Sequence, residues 1–181
     1  MTNIESLRMG TSALHKTLEN MMYSKEIMNK SLSPDQLNHL LKVNYLFFKR
    51  IESILAQKQI PSKYNLSKSY LAKRDLIVNG YYPEDIDYEL TLDLSQEAFY
   101  GILYVVIGSS LGSKIISKKL EKNEYLTNSS FDFYRTASDD AAVWGEFLKD
   151  LEVKLIEQNK LVSNSVNCFK GMMDLFNLTV V

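Results

Sequence analysis

The sequence predicts an all-α, single-domain protein. Three observations carry this: apolar residues recur at helical spacing along most of the chain, only 7 glycines and 3 prolines interrupt it, and two segments open on paired helix-start signals. The 181 residues suit one domain, 1–181, and a composition of 45% hydrophobic and 24% charged residues is that of a globular chain with a real core.

Thr2 and Glu5 have the spacing of a capping box, in which side chain and backbone at a helix start satisfy each other. Leu7, Leu14, Leu18 and Met21 follow, so a first helix is expected from about Ile4 to Tyr23. Ser33 and Gln36 repeat the box, with Pro34 at the first helical position. The stripe Leu37, Leu40, Leu41, Phe47, Phe48, Ile51, Ile54 and Leu55 carries that helix until Pro61 breaks it. A third helix is expected over 67–80, closed by Gly80, and then a loop over 81–94 containing Pro83, where 91–94 alternates enough to form a short strand instead.

Ser95 opens a long apolar helix, which Gly108–Ser113 is expected to interrupt. Lys114, Lys118, Lys119 and Lys122 gather toward its end, where cations suit the helix dipole. The stretch 128–138 reads as a loop, after which Ser138 and Asp139 are expected to cap a helix carrying Trp144, Phe147, Leu148, Leu151 and Leu155. A last helix carries Val162, Val166, Phe169, Met173 and Phe176.

A formal charge of -1 and a pI near 6.1 give no net electrostatic reason to bind nucleic acid or an acidic membrane. The single Cys168 can form no internal disulfide, and Glu5 and Arg8 interrupt what a signal peptide would keep apolar, so the cytoplasm is expected. The most apolar stretch, Ile102 to Ile107, falls far short of the roughly 20 residues that span a bilayer, so a buried helix without a membrane partner is expected.

Two histidines constrain any histidine-centred chemistry. On the first helix Arg8, Thr11, Glu19 and Met22 lie four or seven residues from His15, so a cation, an imidazole and a carboxylate share one face. A metal-bound imidazole donates its other ring N–H to an acceptor, and Glu19 one turn on can serve. Arg8 could pair with an anionic group of the same ligand. The plainer reading is a surface histidine beside an ordinary i,i+4 carboxylate. His39 has polar neighbours and no comparable partner, and reads as a surface residue.

Gly108 and Gly112, one turn apart, each cost about 1 kcal/mol against alanine in a helix interior, so they imply a kink or a close approach. Close helix packing is the alternative to a flat ligand lying there. Phe169 and Phe176, with Trp144 and Tyr134, could wall an apolar pocket or be ordinary core. Cys168 has no histidine nearby in sequence and is a poor candidate nucleophile.

Residues 7–19, LRMGTSALHKTLE, resemble the opening helix of haem oxygenases. Residues 103–116, LYVVIGSSLGSKII, resemble the family's distal helix in its bacterial branch, and FYR, WGEFL and NCFKGMMDLF fit the end of the chain in the same order. The resemblance implies an all-α haem oxygenase-like bundle that uses dioxygen and electrons from a reductase or redox protein to cleave haem to biliverdin, carbon monoxide and ferrous iron. It implies His15 as the iron ligand, Arg8, Thr11, Glu19, Phe169 and Phe176 around the haem, and Gly108, Ser109, Gly112 and Ser113 on the side where oxygen reacts. Haem would be both substrate and cofactor, and a bilin-binding photoreceptor could accept the product. Ser109 stands where some members carry an aspartate, and Ser113 where many carry a second glycine.

Readings from other classes remain beside this one. A non-catalytic haem carrier or sensor would keep His15 and the fold. A dimetal oxidase would need Glu-x-x-His pairs, but Gln36 precedes His39 and Ser12 precedes His15 at that spacing. A thiaminase-like enzyme would need a better-placed cysteine. A helical interaction module would bind no haem.

Overall fold

The computed structural model describes residues 1–56, 64, 67–139 and 141–180. In chain order the helices are α1 (Asn3–Met21), α2 (Ser24–Asn29), α3 (Pro34–Leu55), α4 (Ser69–Val78), α5 (Gln96–Leu120), α6 (Asp132–Asp139), α7 (Ala141–Glu152) and α8 (Gln158–Thr179), with a 3-10 turn at Glu124–Leu126. No strand occurs among the described residues, and 81–94 is irregular throughout.

Both capping boxes form. Thr2 Oγ1 accepts from the Glu5 N–H at 3.1 Å, and the Glu5 carboxylate accepts from the Thr2 N–H at 2.7 Å. Ser33 and Gln36 do the same at 3.2 and 2.9 Å. Gly80 ends the α4 segment at φ +80°, a conformation open to a residue without Cβ. The first helix is shorter than expected, because Tyr23 turns the chain through a left-handed conformation (φ 56°) into α2. The break expected at Pro61 lies outside the described residues.

Three other expectations are corrected. The α5 helix runs through Gly108–Ser113 without interruption. The Ser109, Ser110 and Ser113 hydroxyls donate to the carbonyls of Val106, Ile107 and Ser109 at 2.7, 2.6 and 3.1 Å, so they bond back onto their own helix. The stretch 128–138 contains the start of α6, and Ser138 and Asp139 lie in that helix rather than capping the next one. Its N-terminus is satisfied from elsewhere: the buried Asp75 of α4 accepts from the Phe133 N–H at 2.6 Å and from the Ser130 hydroxyl at 2.5 Å. Leu155 falls past the end of α7 and is exposed.

The α3 helix is buried nearly all round, with Phe47 and Phe48 among the most enclosed side chains. It packs on α4 and α8, and α8 also supports α1 and α5. The α1 and α8 helices run parallel, in a register marked by Ser6 against Gln158, Gly10 against Val162, His15 against Phe169 and Tyr23 against Phe176. The α5 helix crosses α8 at Gly101, where a Cβ would collide with the Leu161 carbonyl oxygen. Asn164 holds this crossing by donating to the carbonyls of Asp93 and Ala98 at 2.7 and 2.9 Å while accepting from the Asp93 N–H. Among the described residues α1 and α5 have no substantial packing with each other, and both rest on α8. By length and composition α5 could cross a membrane, but half of its apolar window is buried in the protein.

Candidate functional site

His15 projects from α1 beside α8. Its ring packs T-shaped against Phe169 at a centroid separation of 5.6 Å and an interplanar angle of 78°. Nδ1 stands 3.5 Å from the Glu19 carboxylate, and the two side chains are 58% and 59% exposed. Such an exposed pair contributes little to stability. Nε2 has no hydrogen-bond partner among the described residues. The imidazole thus lies between a carboxylate and an aromatic ring, with its other nitrogen left open among the described residues.

The other predicted residues of this helix are placed as follows. Arg8 is exposed two turns before His15 and makes no ion pair among the described residues. Thr11 is buried and its hydroxyl donates to the Leu7 carbonyl at 2.7 Å, so it anchors the helix from inside. Phe176 lies two turns beyond Phe169 on α8 but meets a different group, the rings of His39 and Tyr23 at 4.4 and 5.3 Å.

This second cluster corrects the reading of His39 as a surface residue. His39 is half-buried, with Nδ1 2.8 Å from the Tyr23 hydroxyl and Nε2 3.1 Å from the Phe176 carbonyl and 2.9 Å from Thr179 Oγ1. A carbonyl can only accept, so Nε2 carries the proton and Nδ1 accepts from Tyr23. Burial holds the imidazole below its ordinary titration range, which keeps it neutral.

On α5, Gly108 lies under the Trp144 indole: a Cβ there would stand 3.1 Å from ring carbon Cζ3. Tyr104, one turn before Gly108 on the same face, packs on Trp144 at 5.3 Å. Tyr104 was missed in the sequence, although its spacing of four from Gly108 was there to read. A Cβ at Gly112 would meet nothing within 4 Å, and beside it Leu111 and Ile115 are 41% and 56% exposed. This stretch of α5 is thus an apolar face without a covering partner among the described residues. Ser109 borders it and Ser113 is buried behind it, and both hydroxyl protons are directed to the helix backbone.

The remaining aromatic candidate, Tyr134, is buried against Asn44. Cys168 is also buried, and burial pushes its thiol up to about 12, which leaves it inert as a nucleophile at neutral pH. Among the described residues no group of three or more His, Cys, Asp or Glu side chains gathers to hold a metal ion.

No protein-family model matches the sequence. Over 61 residues the chain is 34% identical to a haem oxygenase of Xanthomonas campestris pv. campestris, a match covering 34% of this chain and 37% of that protein. The matched part thus spans little more than a third of this relative. The structure superposes on the haem oxygenase of Neisseria meningitidis, solved with NO and CO bound, with a TM-score of 0.78 over 99% of this chain and 92% of that one, at 21% identity. From its first helix to its last, the chain therefore has the fold of a bacterial haem oxygenase.

Proposed function

We propose that the protein is a haem oxygenase, cleaving haem to biliverdin, carbon monoxide and ferrous iron with dioxygen and electrons from a reductase or redox protein. The observation that carries this reading is His15, with Nδ1 near Glu19, its ring against Phe169 and Nε2 without a hydrogen-bond partner among the described residues, on a helix that shares the α8 support with an α5 left open at Gly112. A flat, largely apolar group with a central metal suits both features. The imidazole offers one neutral nitrogen donor, and the open space at Gly112 admits a ring face that a side chain would hold away.

Bound haem would supply the iron that activates dioxygen and the carbon skeleton that is cut. The protein's part is binding and orientation. His15 holds the iron and Glu19 fixes the tautomer of its ring. Arg8 pairs with an anionic edge of the ligand, and Thr11 keeps the proximal helix in register. Phe169 limits rotation of the imidazole, while Phe176 joins the same face of α8 to the Tyr23 corner. Gly112 would admit the ring closely, Gly108 would let the Trp144 indole pack beside it, and Ser109, with the buried Ser113 behind it, would offer acceptor oxygens toward the oxygen side. A bilin-binding photoreceptor is a fitting acceptor for the product, and a buried lone thiol is in keeping with a cytoplasmic setting.

One observation favours a second reading, a haem carrier or sensor: the Ser109 and Ser113 hydroxyls donate into the helix and offer no proton to a bound oxygen species. Turnover separates the two. Incubated with haem and ascorbate or a reductase in air, an oxygenase yields the visible absorbance of biliverdin and loses the haem band. A carrier keeps the band and forms no bile pigment.

A further inference from the structure

The α7 helix touches both helices of the candidate site. At its C-terminal end the Leu151 carbonyl, and just beyond it that of Lys154, accept from the Asn3 side chain of α1 at 2.9 and 3.0 Å. Nearer its start, the Trp144 side chain packs on α5 at Tyr104 and Gly108. Both α7 and α8 therefore connect α1 to α5, and α7 does so from the N-terminal end of α1, with His15 further along that helix.

Trp144 meets α5 through the outer ring of its indole. The ring carbons Cζ3, Cη2 and Cε3 lie 3.1, 3.4 and 3.8 Å from where a Gly108 Cβ would stand, so the indole needs a glycine there, while Gly112 one turn on is open. The indole is braced on two sides: the fully buried Phe147 stacks on it at 5.8 Å and 27°, and Tyr104 flanks it at 5.3 Å. Trp144 itself is half-buried, so part of its surface is left for a further contact. A ring packed in this way turns little, and it forms a fixed apolar step beside the open stretch at Gly112.

We propose that Trp144 is a specificity-determining residue of the haem site: its indole is the stop that limits how far the ring extends along α5 toward Gly108, and so sets which edge of the ring lies at Gly112. This rests on the haem reading above. A flat ring held by a single axial nitrogen can turn about that bond, so a contact at its rim must set its angle. A braced aromatic side chain supplies that contact without a hydrogen bond or a charge.

The test is proton NMR of the cyanide-bound ferric haem complexes of the wild type, Trp144→Leu and Trp144→Phe, because the paramagnetic shifts of the ring methyls report the angle of the ring to the axial imidazole. The wild type should show one dominant methyl pattern. In the variants its population relative to other patterns should fall by about tenfold or more, the discrimination carried by one apolar contact in a pocket. If Leu folds poorly, Phe decides, because it keeps a ring against Phe147 but does not reach Gly108. A Trp144 that only fills space would lower thermal stability and leave the methyl pattern unmoved. That result in a folded, haem-binding variant, or several comparable patterns in the wild type, overturns the role of Trp144 and leaves the haem reading standing. A wild type that forms no haem complex overturns both.

Discussion

The imidazole of His15 packs T-shaped against the ring of Phe169, 5.6 Å between centroids, across the parallel packing of α1 and α8. This contact joins the candidate iron ligand to the helix that also supports α5. Replacing Phe169 by leucine keeps most of the buried apolar volume but removes the aromatic edge, which in such pairs is worth about 0.5–1.5 kcal/mol. The expected outcome is a folded protein whose haem affinity falls several-fold, measured by hemin titration alongside thermal unfolding.

Gly112 and Gly101 should respond to alanine with opposite signs. At Gly112 a methyl meets nothing within 4 Å, so the ligand-free protein should gain about 0.5–1 kcal/mol from the better helix former, while haem binding weakens as the methyl enters the ring's space. At Gly101 the methyl would run into the backbone of Leu161, and the helix crossing should lose about 1–3 kcal/mol or more. Urea unfolding of the ligand-free proteins measures both changes.

Asn164 makes three hydrogen bonds, one buried and two part-buried, that pin the 81–94 segment and the start of α5 to α8. Asn164→Ala removes one partner each from the Asp93 N–H and the Asp93 and Ala98 carbonyls, and should cost about 2–4 kcal/mol in urea unfolding. Hydrogen exchange should rise first at the amides of Asp93 and its neighbours.

His39 predicts an acid dependence of stability. Burial lowers its folded pKa below the ordinary value of 6.5, so in the window beneath 6.5 the unfolded chain binds the proton more readily than the folded one. Stability should therefore fall as pH drops below about 6.5, until the folded-state pKa is passed. His39→Gln should be less stable at neutral pH but show a flatter profile between pH 5 and 7. A wild-type profile as flat as that of the variant would count against the neutral, buried imidazole.

What the sequence revealed was mainly local. The Thr2 and Ser33 caps, the Gly80 stop and the α3 stripe depend on residues within a turn or two of each other, and all appear as expected. The α6 helix was hidden because its start is satisfied by Asp75, 58 residues before Phe133. His39 was misread because Phe176 and Thr179 lie 137 and 140 residues away. The expected break in α5 failed for another reason: its serines bond to their own helix, and Trp144 covers Gly108. At the site, the His15–Glu19 pair was legible as an i,i+4 spacing, but its contact with Phe169 depends on the register of two helices more than 130 residues apart in the chain.

The central claim is haem ligation by His15, and titration of the purified protein with hemin, followed in the Soret region, tests it most directly. The wild type should saturate at one haem per chain with the spectrum of an imidazole-ligated complex, and His15→Ala should lose that spectrum while remaining folded by circular dichroism. A wild type that gives no stoichiometric band, or a His15→Ala variant with an unchanged one, would contradict the account.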